Sequence, residues 1–183
     1  MNYISKLALG ALATVTATAS LGAQDLHYGG QATLSLPAGP LGSGQNLDSK
    51  LGGGIGGHVF VGLDRGFAVV PRVDYTYFKN SDNHDLKVQS LKVGADCDYF
   101  FSRKANEGLY AGLGLGYDRT KFEADSADST TNAVYYAAQA GYMFTKNYGA
   151  ELRYTYTNNK PEFSGLEQRL SSPVVSASFV CHF

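Results

Sequence analysis

From Asp25 onward, apolar and polar side chains alternate with a period of two, the spacing at which a strand turns successive residues to opposite faces. Helical spacing never takes over. The alternation predicts eight strands, over residues 26–36, 50–63, 67–78, 86–101, 109–121, 133–144, 148–157 and 170–183. In the first, Leu26, Tyr28, Ala32, Leu34 and Leu36 share one face while His27, Gln31, Thr33 and Ser35 share the other, and Pro37 stops the run. In the fifth, Leu109, Ala111, Leu113, Leu115 and Tyr117 oppose Tyr110, Gly112, Gly114, Gly116 and Asp118 without a break. Pro71 weakens the third strand, because proline removes a ladder donor. Connections alternate in length. Residues 64–66 and 145–147 are short and 102–107 intermediate, whereas 37–49, 79–85, 123–132 and 158–168 are longer.

Which face is apolar decides the solvent. In a soluble eight-stranded barrel the lumen is the apolar face. Here the second face carries Arg72, Asp74, Lys92, Asp96, Asp98, Asp118, Glu151 and Arg153, while the first is a continuous apolar band with tyrosines near its ends. That division suits a barrel with lipid outside and charge inside. The fold class expected is therefore all-β, an eight-stranded antiparallel up-and-down transmembrane barrel, with the short turns periplasmic and the long loops outside the cell.

Composition sharpens this picture. Hydrophobic residues make up 44% and aromatic residues 13% of 183 residues, enough for a folded domain rather than a disordered chain. Fifteen Lys and Arg stand against sixteen Asp and Glu, so no basic field of the kind that attracts nucleic acid is present. Lys6 followed by the apolar run 7–21 reads as a secretory signal cleaved after Ala23, which leaves residues 24–183 as the barrel domain. Cys97 and Cys181 fall on the fourth and eighth strands, across the barrel, which argues against a disulfide. Twenty-two glycines need a positional reason. Gly52, Gly54, Gly56, Gly112, Gly114 and Gly116 all lie on the inward face, where a narrow lumen must make room for Phe60, Phe78, Phe100, Tyr110 and Tyr135. Gly52 to Gly57 fits G-x-G-x-x-G, but no helix follows it, so it reads as barrel wall rather than a nucleotide loop.

Three clusters carry candidate chemistry. Of the eight inward charges, Arg72, Asp74, Lys92, Asp96, Glu151 and Arg153 fall at similar heights, and an isolated buried charge costs several kcal/mol, so these groups are expected to pair into a network that plugs the bore, with three cations against five carboxylates leaving some carboxylates unpaired. A catalytic role inside a plug has no substrate route, and no general porin conductance is expected. His27 and His58 face inward on neighbouring strands without an evident third ligand, so no metal site and no cofactor is expected. Ser81, Asp82, His84 and Asp85 contain hydrolase or acyltransferase ingredients, as a lipid A-modifying enzyme would need, yet the same residues are ordinary turn chemistry. Lys79, Lys87, Arg119, Lys121 and Arg169 stand at outward positions near the extracellular strand ends, at the height of lipopolysaccharide phosphates.

The last strand, with Val175, Ala177, Phe179, Cys181 and Phe183 at alternate positions, resembles the assembly signal of bacterial outer-membrane proteins. Together with the signal sequence and the alternation, it makes the chain similar to the small OmpA/OmpX-type barrels. Cys181 replaces a frequent aromatic, and with no Trp the girdle falls to Tyr and Phe. The resemblance implies a monomer in the outer membrane that meets lipid, lipopolysaccharide, the barrel assembly machinery and, through its loops, host or envelope proteins. It implies an envelope structural and surface-contact role rather than catalysis; a small ligand-binding or low-conductance barrel and a lipid A-modifying enzyme are the alternatives.

Overall fold

A computed structural model of the chain describes residues 25–38, 51–79, 87–124, 127–159, 162–163, 166–167 and 170–183. The expected signal at residues 1–23, the Ser81, Asp82, His84 and Asp85 group, and Arg169 lie outside them, as does the side chain of Lys79. The strands are β1 (Asp25–Pro37), β2 (Gly52–Gly62), β3 (Phe67–Lys79), β4 (Lys87–Phe100), β5 (Gly108–Ala124), β6 (Ala127–Met143), β7 (Tyr148–Asn159), β8 (Glu162–Phe163), β9 (Leu166–Glu167) and β10 (Leu170–His182). β8 and β9 pair only with each other, and the remaining eight close an antiparallel barrel in the order β1, β10, β7, β6, β5, β4, β3, β2.

The register fixes the shape of the bore. Followed across the ladders, Gly62 meets Ala68, Asp98, Gly112, Gln139, Arg153, Ser176 and Ser35 in turn, and Ser35 meets Gly52. The path thus returns to its starting strand ten residues lower, the stagger that tilts strands in a closed barrel. The barrel is apolar outside. Ile55 is 69% and Leu113 71% exposed, whereas Asp96 is 1% and Arg72 3% exposed. Outward rings pair near the periplasmic turns, with centroids 5.0 Å apart for Phe67 and Tyr99 and 5.6 Å for Tyr142 and Phe144. Tyr75, Tyr117, Tyr136 and Tyr156 stand toward the other rim, so aromatic side chains flank the apolar band at both ends. Val59 and Val61 occupy the outward register opposite Tyr28 and Leu26 but are buried.

Three local departures have physical causes. Between His58 opposite Arg72 and Val61 opposite Val69, the β2–β3 ladder is interrupted where Pro71 has no N–H to give. The turn Asp64–Gly66 is a single 3-10 turn, with Arg65 at φ 63° and Gly66 at φ 85° supplying the left-handed residues it needs. The third extracellular connection is not a loop over 123–132. Ser129, Thr130 and Thr131 extend β6 against Phe122, Lys121 and Thr120, so a run whose Ser, Thr, Asn and Asp content reads as loop is held in strand by its partner.

Inward glycines receive large neighbours. A Cβ on Gly94 or Gly116 would run into the Tyr135 ring, and on Gly116 it would also stand 2.6 Å from the Gly94 Cα. The phenol therefore fills a gap that two facing glycines leave in the wall, its hydroxyl at Gly94 and its ring edge at Gly116. Gly53 faces outward with no atom within 4 Å of an added Cβ. Gly116→Ala is expected to cost about 1–3 kcal/mol by overpacking, while Gly53→Ala is expected to be neutral or to gain about 0.5 kcal/mol. Urea midpoints of the detergent-folded variants, followed by tyrosine fluorescence, distinguish the two.

Candidate functional site

The bore is layered. Near the periplasmic end Phe60, Ala68, Val70, Phe100, Tyr110 and Met143 form a buried apolar cluster. Near the extracellular end Phe78 and Phe122 are buried. Charge and hydroxyl groups lie between them, where alternation on β3, β4, β5 and β7 turns every second residue inward.

Arg72 is the hub. Its Nε donates to Asp74 Oδ2 at 2.9 Å, and its Nη1 to Asp96 Oδ2 at 2.8 Å and Glu151 Oε1 at 3.2 Å. Arg153 reaches the same Asp96 from β7 in a two-toothed contact of 2.6 and 2.8 Å, a geometry that arginine's planar fork allows and lysine's ammonium does not. Asp96 can accept both because it lies across Gly114, where a Cβ would stand 2.9 Å from Arg153 Nη2. Lys92 forms a second group with Asp118 at 3.7 Å, and Ser90, Thr120 and Thr157 donate to that carboxylate at 2.8, 3.1 and 3.2 Å.

The structure thus brings Arg72, Asp74, Asp96, Glu151 and Arg153 into one network and Lys92 with Asp118 into another. Asp98 joins neither by an ion pair; it accepts from Gln139 Nε2 at 2.6 Å, and Arg153 donates in turn to Gln139 Oε1. Gln139, Tyr110, which donates to Glu151 at 2.9 Å, and Gln31, which donates to Asp74 at 2.7 Å, are partners that alternation alone does not single out. Only the cross-strand register identifies them. Two cavities of about 20 and 30 Å³ interrupt the packing, one beside His58, Asp98 and Glu151 and one beside Thr33, Asp74 and Lys92. Each has room for about one or two waters.

The other candidate residues lie elsewhere. His27 and His58 are joined by His182, whose ring centroid is 6.2 Å from His27 and 4.9 Å from His58. Among the described residues no three metal-ligating side chains are grouped around a common point. Arg119 is exposed on the outer face opposite Leu91, and Lys121 is half-buried opposite Gln89. Lys87 registers with Lys79 on one side and Glu123 on the other, so the cationic sector includes an acid at its edge. Val175, Ala177, Phe179 and Phe183 are exposed on the outer face of the last strand and beyond its end, with Cys181 half-buried among them. Cys97 and Cys181 are both free thiols.

Comparison with known proteins places this architecture. A family model described as outer membrane protein beta-barrel domain matches residues 7–183. The chain is similar in structure to Neisserial surface protein A, with TM-score 0.57 and 21% identity over 88% of this chain and 99% of that one. It is similar also to Ail, the attachment invasion locus protein of Yersinia pestis, with TM-score 0.54 and 14% identity over 86% and 97%. The N-terminal β-barrel domain of Pseudomonas aeruginosa OprF gives TM-score 0.53 and 15% identity over 86% and 97%. At these identities the likeness is one of fold. No curated protein matches the sequence.

Removing one member of the Arg72 network leaves buried carboxylates without a partner. Arg72→Met is expected to lower stability by about 3–5 kcal/mol. Asp98→Asn keeps the acceptor for Gln139 and breaks no ion pair, so its loss is expected to stay below about 1.5 kcal/mol. Urea denaturation of both variants in lipid vesicles checks the difference, and equal losses would contradict the assignment of Arg72 as hub.

Proposed function

The chain belongs to the outer membrane protein beta-barrel domain family and resides in the bacterial outer membrane, and from that premise we propose that it is a sealed envelope barrel that works through its extracellular rim. One observation carries this reading. β5 and β6 stay paired to the tip, Ala124 with Ala127, whereas β6 meets β7 only from Tyr135 onward. The β5–β6 hairpin therefore projects beyond that side of the barrel, and among the described residues Ala127 to Val134 have no partner strand on the β7 side. Unpaired strand edges and exposed loops are where extended partners dock. The bore, filled by the two charge groups between apolar ends, offers no comparable access.

The contact partner is host matrix or a neighbouring envelope protein, and the role is structural and adhesive rather than catalytic. Ail, similar in fold, bears attachment and invasion in its name and has been solved with the heparin analogue sucrose octasulfate. On the membrane side, Lys79, Lys87, Arg119, Lys121 and Arg169 hold lipopolysaccharide phosphates by charge-assisted contacts, with Tyr75, whose hydroxyl donates to Gln89 at 3.2 Å, beside them. Val175, Ala177, Phe179, Cys181 and Phe183 present the last strand to the barrel assembly machinery, and the mature barrel is a monomer.

Replacing residues 119–132 with Asn-Gly joins the paired Asp118 and Ala133 through a two-residue turn and removes the projecting hairpin. Binding of the shortened protein to immobilised host matrix and envelope proteins is expected to fall at least about tenfold, a change of 1.4 kcal/mol. Undiminished binding would remove the rim from the mechanism. In planar bilayers the intact protein is expected to give no steady large channels, and their appearance would contradict a sealed bore. Neutralising Lys87, Arg119 and Lys121 together is expected to reduce co-purifying lipopolysaccharide.

A further inference from the structure

The three turns at the periplasmic end carry cations that the bore network does not use. Arg65 lies in the turn before β3, Arg103 and Lys104 in the turn between β4 and β5, and Lys146 in the turn between β6 and β7, and all are exposed. Their spacing repeats. Phe67, Phe101 and Phe144 are outward rings 44%, 57% and 60% exposed, and Arg65, Arg103 and Lys146 each stand two residues past one of them, into the turn. Rings of this kind settle at the boundary between hydrocarbon and headgroups. Two residues reach at most about 7 Å further, so the cationic heads fall at the level of headgroup phosphates.

The turns are joined into one base. A Cβ on Gly66 would stand 2.8 Å from the Arg103 Cα, and one on Gly62 would stand 3.1 Å from the Ala105 Cβ, so the first turn lies against the second. Asn106 Nδ2 donates to the Lys146 carbonyl at 2.8 Å, which ties the second to the third. Within the second turn the Ser102 hydroxyl donates to the Glu107 carbonyl at 2.8 Å and accepts from the Lys104 N–H at 3.3 Å. The cations thus stand on a cross-linked platform rather than on separate loops.

Two of them occupy backbone that disfavours arginine. Arg65 has φ 63° and Arg103 φ 61°, the left-handed region in which glycine is unstrained and asparagine is tolerated better than other side chains. Among the described residues neither guanidinium is in an ion pair, so no such contact within the barrel offsets the strain. The described acids at this rim are Asp25, Asp64 and Glu107. Glu107 pairs with Lys104 at 3.8 Å, and Asp25 lies 3.9 Å from His27. Arg65, Arg103 and Lys146 remain as the cations that face the interface.

We propose that this platform binds the phosphates of anionic phospholipids in the periplasmic leaflet, with Arg65 and Arg103 as its main contacts. A guanidinium offers parallel N–H donors that match two phosphate oxygens, a geometry that an ammonium lacks. Lys146 adds charge at the same level on the third turn. The site rests on the barrel's place in the outer membrane and is separate from the lipopolysaccharide contacts, which lie at the opposite rim.

The test is native mass spectrometry of the full chain folded in detergent and titrated with phosphatidylglycerol or, in parallel, with phosphatidylcholine, whose choline group offsets the phosphate charge. The parent is expected to bind phosphatidylglycerol at least about tenfold more tightly than phosphatidylcholine. Arg65→Asn combined with Arg103→Asn removes both charges and suits the left-handed backbone, so it is expected to lose that preference while its urea midpoint stays the same or rises. Neutralising Lys87, Arg119 and Lys121 at the other rim is expected to leave the preference in place. Equal binding of the two lipids by the parent, an unchanged preference in the Asn double variant, or a preference lost only from the other rim's variant would each overturn the platform. If the double variant fails to fold, Arg65→Asn and Arg103→Asn singly are each expected to weaken the preference about threefold, and no weakening in either would overturn it.

Discussion

A charged group enclosed among packed side chains in a narrow bore must find its counter-charge on the wall, and the rest of this barrel accommodates that requirement. Asp96 is the clearest case, buried to 1% and gripped by Arg72 from one side and Arg153 from the other. Breaking such a grip is costly even where an apolar substitute for the whole group would be tolerated. The network therefore makes one arrangement of strands far better than its neighbours: a one-residue slip would turn Arg72 and Asp96 to the lipid.

The wall is shaped to let these side chains meet. The ten-residue stagger brings Arg153 of β7 within reach of Asp96 of β4, three strands away, and Gly112 and Gly114 on the intervening β5 leave the space through which carboxylate and guanidinium pass. Tyr135 closes the corresponding gap over Gly94 and Gly116. Glycine in a strand ordinarily weakens it. Here it is the complement of a large or charged neighbour, so chain flexibility is exchanged for a filled interior. A filled interior leaves the rims, with the projecting β5–β6 hairpin on one of them, as the surfaces that lipid chains do not cover.

Much of this was legible in the alternation. The eight barrel strands, the inward face of each, the charge set and the glycines of β2 and β5 all follow from a period of two, because burial on one face leaves a mark at every second residue. What alternation lacks is register. It does not say that Asp98 lies level with Gln139 rather than beside an arginine, or that His182 lands between His58 and His27. Composition misled at residues 123–132, where Ser and Thr side chains suit a turn as well as a strand edge and β5 settles the matter. Proline was informative at both positions where it mattered: Pro37 is the last residue of β1, and Pro71 interrupts a ladder without ending its strand.

The central claim is that lipid contacts the apolar face and the charges face inward, and Cys97 reports on it directly. It is an exposed free thiol on the outward register of β4, between the inward Asp96 and Asp98. A nitroxide attached there, in a Cys181→Ala background reconstituted into vesicles, is expected to collide readily with oxygen, which concentrates in lipid, and poorly with a water-soluble nickel chelate. Ready relaxation by the chelate and weak relaxation by oxygen would place that face in water and contradict the inside-out barrel.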